Sequence, residues 1–396
     1  MSASGFSATD HAMMVRALRL AERGVFTTRP NPMVGCVVAC GDEIVGEGWH
    51  QRAGGPHAEV FALRAAGERA RGATAYVTLE PCAHHGRTPP CVDALVESGV
   101  ARVVAAMRDP FPQVAGHGFE RLRAAGVVVD TGLLDVQARE LNRGFLSRIE
   151  RGRPRVRVKL AMSLDGRTAL ANGDSKWITG EAARTDVQRW RARAGAILTG
   201  SGTVLADNPR LTARVPNADI APVLRVVMDR ALRTPAGMHV LAGDAPTLVF
   251  HAPDAMPDAR YTQVECESLA LAGDRLSLPL ALERLAARGI NDVHVEAGPV
   301  LSGALFEQGL VDELLLYVAP VLLGSSARPL LQLPALADMA ERWHLQVVDH
   351  GKVGEDWRLV LRPSYQTPGQ DGRTPAVPAR QRVMMAPNPV FSERTR

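Results

Sequence analysis

Aromatic residues make up only 5% of this 396-residue chain, and there are just five cysteines, at positions 36, 40, 82, 91 and 266. Scarce aromatics argue against a single-strand nucleic-acid binder, which stacks bases on aromatic rings. A low, odd cysteine count argues against a disulfide framework and for a reducing, cytoplasmic compartment. No stretch approaches the roughly 18 uninterrupted apolar residues of a membrane span. The N-terminus lacks the basic start and apolar block of a signal peptide and reads as an amphipathic helix. A strong charge excess is missing too. The net charge is +4, but residues 366–396 hold five arginines against two acids, so the first 365 residues carry only about +1. Such a body calls for no polyanionic partner.

What is present is ordinary globular material, 46% hydrophobic and 22% charged, enough for a sizeable core in each of two domains. The pattern predicts a helix over 8–23 and two strands, 33–40 and 43–49, around the Gly41-Asp42 turn. A helix from His57 to about Ala70 follows Pro56, then a strand at 73–80, a short helix at 91–98 and a strand at 101–107. One more helix–strand unit ends near residue 132. Alternation restarts after the junction at 151–154, with a strand at 155–163 and a helix at 180–194. Further strands are predicted at 196–200, 223–229, 246–250 and 292–298, helices at 280–289 and 301–309, and a long apolar stretch at 311–324. Alternating strands and helices mean layered α/β domains, here residues 1–150 and 154–364. Residues 365–396, with five prolines and no apolar periodicity, read as a disordered tail.

Three segments carry chemistry: Pro56-His57-Ala58-Glu59, Glu80-Pro81-Cys82 and Pro90-Cys91. One imidazole and two thiolates suit tetrahedral Zn²⁺, and three protein ligands leave the fourth position for a water whose pKa falls to about 7. Glu59 then has work that needs a carboxylate, moving that water's proton to the substrate and to departing ammonia. His57 and Glu59 are two residues apart, so inside a helix they would point about 200° from each other. They converge only on a site beyond the helix's N-terminal end, where Pro56 puts them. Helix N-termini also favour thiolate over thiol at Cys91. Two other readings remain open: a histidine and cysteines buried as core, and a structural zinc site whose fourth ligand is His84 or His85.

The pattern is close to the H-x-E…P-C-x-x-C signature of zinc base deaminases, but eight residues separate Cys82 from Cys91 where that signature has two. With Arg29-Pro30-Asn31-Pro32 upstream, these motifs closely resemble the bacterial bifunctional riboflavin-biosynthesis deaminase–reductase family over about 360 residues. The resemblance implies a cytidine-deaminase-like three-layer domain followed by a dihydrofolate-reductase-like α/β domain. It implies zinc on His57, Cys82 and Cys91, proton transfer by Glu59, and a phosphoribosylamino-pyrimidine substrate lined by Asn31 and the 84–87 segment. In the second half, 159–169, 173–180, 200–214 and 295–314 continue the match. There it implies NADPH at Ala161, Trp177, Thr203, Asp207 and the run Gly298, Pro299, Val300, Leu301, Ser302, Gly303, Ala304. Substrate would lie at Ser175, Arg191, Leu211, Arg214 and Glu296, with the two arginines suited to the ribose phosphate. Arg230, just after a strand, is the candidate for the cofactor's 2′-phosphate. The resemblance also implies a homo-oligomer formed through the second domain, with no nucleic-acid or membrane partner. Two further readings are a nucleic-acid base deaminase with an appended domain, and a non-catalytic zinc-stabilised module.

Overall fold

A computed structural model describes residues 5–83, 89–111 and 115–365. The predicted tail and the 84–87 segment therefore lie outside the described residues. In the first half, α1 (Ala8–Glu22) precedes the hairpin β1 (Gly35–Cys40) and β2 (Glu43–Trp49). Then come α2 (Ala58–Ala66), β3 (Thr74–Val77), α3 (Cys91–Glu97), β4 (Arg102–Ala105), α4 (His117–Ala124) and β5 (Val128–Thr131). Two helices, α5 (Asp135–Leu141) and α6 (Arg143–Arg151), close this half. The strands form one sheet in the order β2-β1-β3-β4-β5, with β3, β4 and β5 parallel.

Period-two alternation explains the layering. On β1, Cys36 and Val38 pack with α2, α3 and α4, while Val37 and Ala39 pack with α1, α5 and α6. Both faces of this strand, which runs antiparallel to β2 and β3, are thus apolar and helix-covered. Gly46 and Gly48 on β2 have a specific cause: a β-carbon there would lie 2.1 Å from the Ala62 carbonyl oxygen or 2.4 Å from that of Ala58. Their bare backbone lets α2 lie directly on the strand.

The second half holds β6 (Arg155–Ser163), β7 (Arg167–Ala169), α7 (Glu181–Arg193), β8 (Ala196–Gly200), α8 (Ser201–Asp207) and β9 (Leu224–Met228). It continues with β10 (Thr247–His251), β11 (Glu265–Ser268), β12 (Leu271–Ala272), β13 (Arg275–Leu276), α9 (Leu278–Ala287), β14 (Asp292–Val295) and α10 (Pro299–Glu307). The last strands are β15 (Glu313–Ala319), β16 (Arg328–Pro329), β17 (His344–Val353) and β18 (Asp356–Ser364). A nine-stranded sheet runs β11-β10-β9-β8-β14-β6-β15-β18-β17, parallel except for the β18–β17 hairpin at one end. Helices α9 and α10 cover one face, α7 and α8 the other. Among the described residues no helix is long and apolar enough to cross a membrane.

Several elements depart from the sequence pattern. The hairpin β17–β18 was not predicted, because an exposed edge strand has no apolar alternation to read. The helices α5, α6 and α8 are also absent from the sequence prediction. The 151–154 junction is no free linker: Arg151 and Arg153 both bind the Asp312 carboxylate, at 2.8 and 2.7 Å, which also accepts the Val156 N–H at 2.8 Å.

Beside it, Arg157 on β6 is buried against Glu313 on β15, with Arg155 and Arg143 near the same carboxylate. Burial alone would raise the Glu313 pKa, but Arg157 and Arg155 override it and bring the group down to about 2. A depressed carboxylate contributes stability that is whole above its unfolded pKa of about 4.3 and lost as pH falls toward its folded value. Acid denaturation should therefore show a stability loss between about pH 4.3 and 2. Glu313→Gln should remove that component and, by leaving Arg157 buried and unpaired, destabilise the protein at neutral pH by about 3–5 kcal/mol; equal acid limbs for both proteins in chemical unfolding would refute the assignment.

Candidate active sites

His57 is the N-cap of α2 and Glu59 the second residue inside it, so both reach past the helix's first turn as their spacing requires. Cys91 is the first residue of α3. Cys82 lies in the segment that leaves β3. The three donor atoms lie within 4.8 Å of one another. His57 Nδ1 is 3.0 Å from Cys91 Sγ and 3.5 Å from Cys82 Sγ, and the Cys91 N–H donates to Cys82 Sγ at 3.4 Å. The Cys91 thiol and the His57 ring hold the Cys82 sulfur well below the usual thiol range, at about 4, while Cys91 is pushed up by its hydrogen bond with Cys82 and by burial.

These residues fit a zinc ion. The donors are the types and the number that a catalytic zinc site uses, and no fourth side chain of the described residues joins the group. Glu59 supplies the second observation. It is buried, burial pushes its carboxyl pKa up, and its Oε2 has no hydrogen-bond partner. A buried carboxylate oxygen without a partner is costly unless function uses it.

Around the cluster, Asn31 Nδ2 lies 3.1 Å from His50 Nε2, and His50 Nδ1 lies 3.1 Å from the Pro56 carbonyl. These partners assign the proton to Nδ1, leaving Nε2 to accept from Asn31. The His50 ring stands edge-on to His57 with centroids 5.4 Å apart. Sequence reading passed over His50, because a single histidine after a strand carries no pattern. Behind Cys82, buried Glu80 accepts the N–H groups of Asp109, Gly116 and Gly118 at 3.2, 3.0 and 3.0 Å, tying the segment after β4 to the site.

The second site gathers at the carboxyl ends of β6, β8 and β14. Arg191 on α7 grips Glu296 with Nε and Nη2, the latter at 2.8 Å, and donates from Nη1 to the Thr212 carbonyl at 3.1 Å. Its fork is thus closed on a carboxylate, and a phosphate there would have to compete with Glu296. Burial would raise Glu296, but Arg191 holds it well below the usual carboxylate range. Arg214 is exposed and forms no ion pair among the described residues, so its fork is free. Lys159 on β6 belongs to this cluster and was overlooked in the sequence. Burial pulls its pKa down against the pull of Glu296. The available signal was a third basic residue alternating with apolar ones, after Arg155 and Arg157, in the run RVRVK.

Gly298 to Ala304 form the start of α10. Pro299 has no N–H and the Ser302 N–H bonds the Gly298 carbonyl at 3.1 Å, so Val300 and Leu301 offer the free amides. Gly303 and Ala304 are buried under residues 330–333, where a Gly303 β-carbon would meet the Gln332 oxygen at 2.0 Å. In that run Val300 is exposed, while Ser302, Gly303 and Ala304 are buried. Thr203 and Asp207 share one face of α8, four residues apart, and Thr203 Oγ1 faces Gly298. Trp177 is 70% exposed with the Arg184 guanidinium over its ring, so it is not core. Leu211 points into the core, leaving only its backbone for a ligand. Ser175 is half-buried beside Trp177 in sequence, and Ala161 sits on β6 two residues beyond Lys159. Arg230 is exposed and makes no ion pair among the described residues. Arg233 lies 3.4 Å from Ser201 Oγ at the start of α8, on a turn fixed by buried Asp229.

The geometry defines a zinc-dependent deaminase joined to a second α/β domain with the phosphate-ready helix start of a dinucleotide-using reductase. Residues 7–107 match the cytidine and deoxycytidylate deaminase zinc-binding region, and residues 154–359 match the RibD C-terminal domain. The chain is 49% identical to riboflavin biosynthesis protein RibD of Escherichia coli over 365 residues, 89% of this chain and 99% of that protein. It is 47% identical to the Haemophilus influenzae protein over 373 residues, 90% and 98% of the two. A crystal form of Acinetobacter baumannii RibD superposes with a TM-score of 0.85 at 45% identity, covering 90% of this chain and 99% of that one. The Thermotoga maritima diaminohydroxyphosphoribosylaminopyrimidine deaminase/5-amino-6-(5-phosphoribosylamino)uracil reductase gives 0.80 at 34% identity with the same coverage. The chain belongs to the RibD family of bifunctional riboflavin-biosynthesis enzymes, with zinc and NADPH as cofactors. His57→Ala or Cys91→Ser should drop bound zinc, measured by elemental analysis, from about one per chain toward zero, with NADPH binding intact; full zinc retention in both variants would remove these residues from the ligand set.

Proposed function

We propose that the division of labour falls at residues 151–154, with deamination before it and reduction after it. The substrate of the first step is the diaminohydroxypyrimidine that bears a phosphoribosylamino group. The observation that carries this reading is the buried, partnerless Glu59 Oε2 beside three zinc-type donors. Zinc on His57, Cys82 and Cys91 supplies a Lewis acid and a water acidified to a pKa of about 7. Glu59 relays both protons of the consumed water, the first to the ring nitrogen and the second to the amino group that departs as ammonia; its burial, which favours the protonated form, suits a group that must hold a proton in each transfer. Asn31, oriented by His50, contacts the pyrimidine. Water is consumed, ammonia leaves and a carbonyl replaces the amino group.

In the second step, NADPH bound in this half would supply the hydride for the ribosyl C1′, and a proton delivered to the ring oxygen as the C1′–O bond breaks would leave the ribityl chain. The Val300 and Leu301 amides with Thr203 would hold the cofactor's phosphates, Trp177 would flank it, and Arg233, beside Ser201 at the start of α8, would take the 2′-phosphate in preference to Arg230. Arg214 receives the substrate phosphate, Arg191 orients Glu296, and Lys159 with Glu296 forms the pair that handles protons. Glu59→Gln should keep its zinc and lose ammonia release by about 10²–10⁴-fold. NADPH oxidation on the deaminated uracil, supplied directly, should be unchanged. Undiminished ammonia release would overturn the reading.

The chain also assembles with itself through β17. This edge strand is exposed along nearly its whole length, with Leu345, Val347 and Val348 on it and its outer backbone edge unpaired by any described strand. A long exposed edge with apolar side chains pairs readily with a second copy. Sedimentation should show an oligomer that Val347→Lys dissociates; a monomeric parent protein would refute it.

A further inference from the structure

The loop that carries Asn31 is held from two sides. On one side, Asn142 of the deaminase half clasps Met33, accepting its N–H at 2.8 Å and donating to its carbonyl at 2.9 Å. On the other side every clasp comes from the reductase half. Arg29 donates from Nη1 to the Ala192 carbonyl at 2.6 Å and from Nη2 to the Ala221 carbonyl at 2.9 Å. Asn291 Nδ2 donates to the Pro30 carbonyl at 2.9 Å, and the Ala221 N–H to the Phe26 carbonyl at 2.9 Å. Arg52, two residues after His50, pairs with Asp219 of the same reductase segment.

Arg29 forms no ion pair with a carboxylate among the described residues. A desolvated guanidinium that spends its donors on two carbonyls of another domain adds little as a charge, but it fixes backbone in two directions at once. The carbonyls it holds are those of Ala192, next to Arg191, and Ala221, at the end of the segment that begins with Leu211 and Arg214. Two residues further on, Asn31 meets His50, and His50 abuts His57.

We propose that Arg29 is a positioning residue for deamination: it uses the reductase domain as an anchor to hold Asn31, and through it His50, in register with the zinc donors. The inference rests on the functional reading above. Because small misplacements of binding groups cost catalysis heavily, Arg29→Ala should lower kcat/KM for ammonia release by about tenfold, mostly through KM. Bound zinc and kcat/KM for NADPH oxidation on the deaminated uracil should stay at parent values.

The test is a double-mutant cycle in the full-length protein, with Arg29→Ala, Asn31→Ala and both. Positioning through Asn31 requires the double variant to be no worse than Asn31→Ala alone, and Arg29→Lys to recover part of the loss. Additive losses, an unchanged Arg29→Ala enzyme, or parallel loss of zinc and of reduction would each overturn it. A parent enzyme that releases no ammonia from the pyrimidine would instead sink the functional reading, so the two failures are distinguishable.

Discussion

The approach of α2 to β2 sets where the deaminase chemistry can occur. At Gly46 and Gly48 the helix lies on bare strand backbone, closer than any side chain allows. That contact aims the N-terminal end of α2, and with it His57 and Glu59, at the exit of β3 where Cys82 waits. The start of α3 brings Cys91 to the same point. The ligand set is therefore a meeting of helix ends and a strand exit, each placed by packing of the sheet's apolar faces. No single element could assemble it.

The reductase half solves a different problem. Its sheet carries several arginines through an apolar interior: those of β6 are matched by carboxylates from neighbouring strands, and Arg225 on β9 by Thr247 and three backbone carbonyls. Arg157 and Glu313 do this structurally at the amino ends of β6 and β15, and Arg191 and Glu296 do it at the other end, where a ligand can reach. Breaking such pairs on one side leaves a buried charge, which is why they hold geometry tightly. The open fork of Arg214 and the two free amides of α10 stand out against this background of satisfied groups.

Much of this was legible beforehand. The prolines before His57 and Cys91 marked helix starts, and the two-residue step from His57 to Glu59 demanded a site beyond a helix end, which is where both side chains lie. The apolar run of β1 was legible as a strand, and the structure covers it on both faces. Other features carry no local signal. Arg191 and Glu296 are 105 residues apart and meet only through the sheet order. Whether Arg191 is solvated or locked is decided by that partner. The edge strand β17 escaped notice because it has no buried face. Nor can sequence show the 330–333 segment folding over Gly303.

The Glu80 carboxylate has a consequence for which substitutions the site tolerates. It is buried and faces three backbone N–H groups, from three places in one returning segment. Such a nest admits acceptors only. Glutamine has nearly the same shape, yet its amide would turn hydrogens toward hydrogens at one or more of these contacts. Aspartate keeps the acceptors but stops one methylene short. The residue two before Cys82 is thus constrained by lone pairs more than by volume, and the changes a size scale rates mildest are poorly accommodated there.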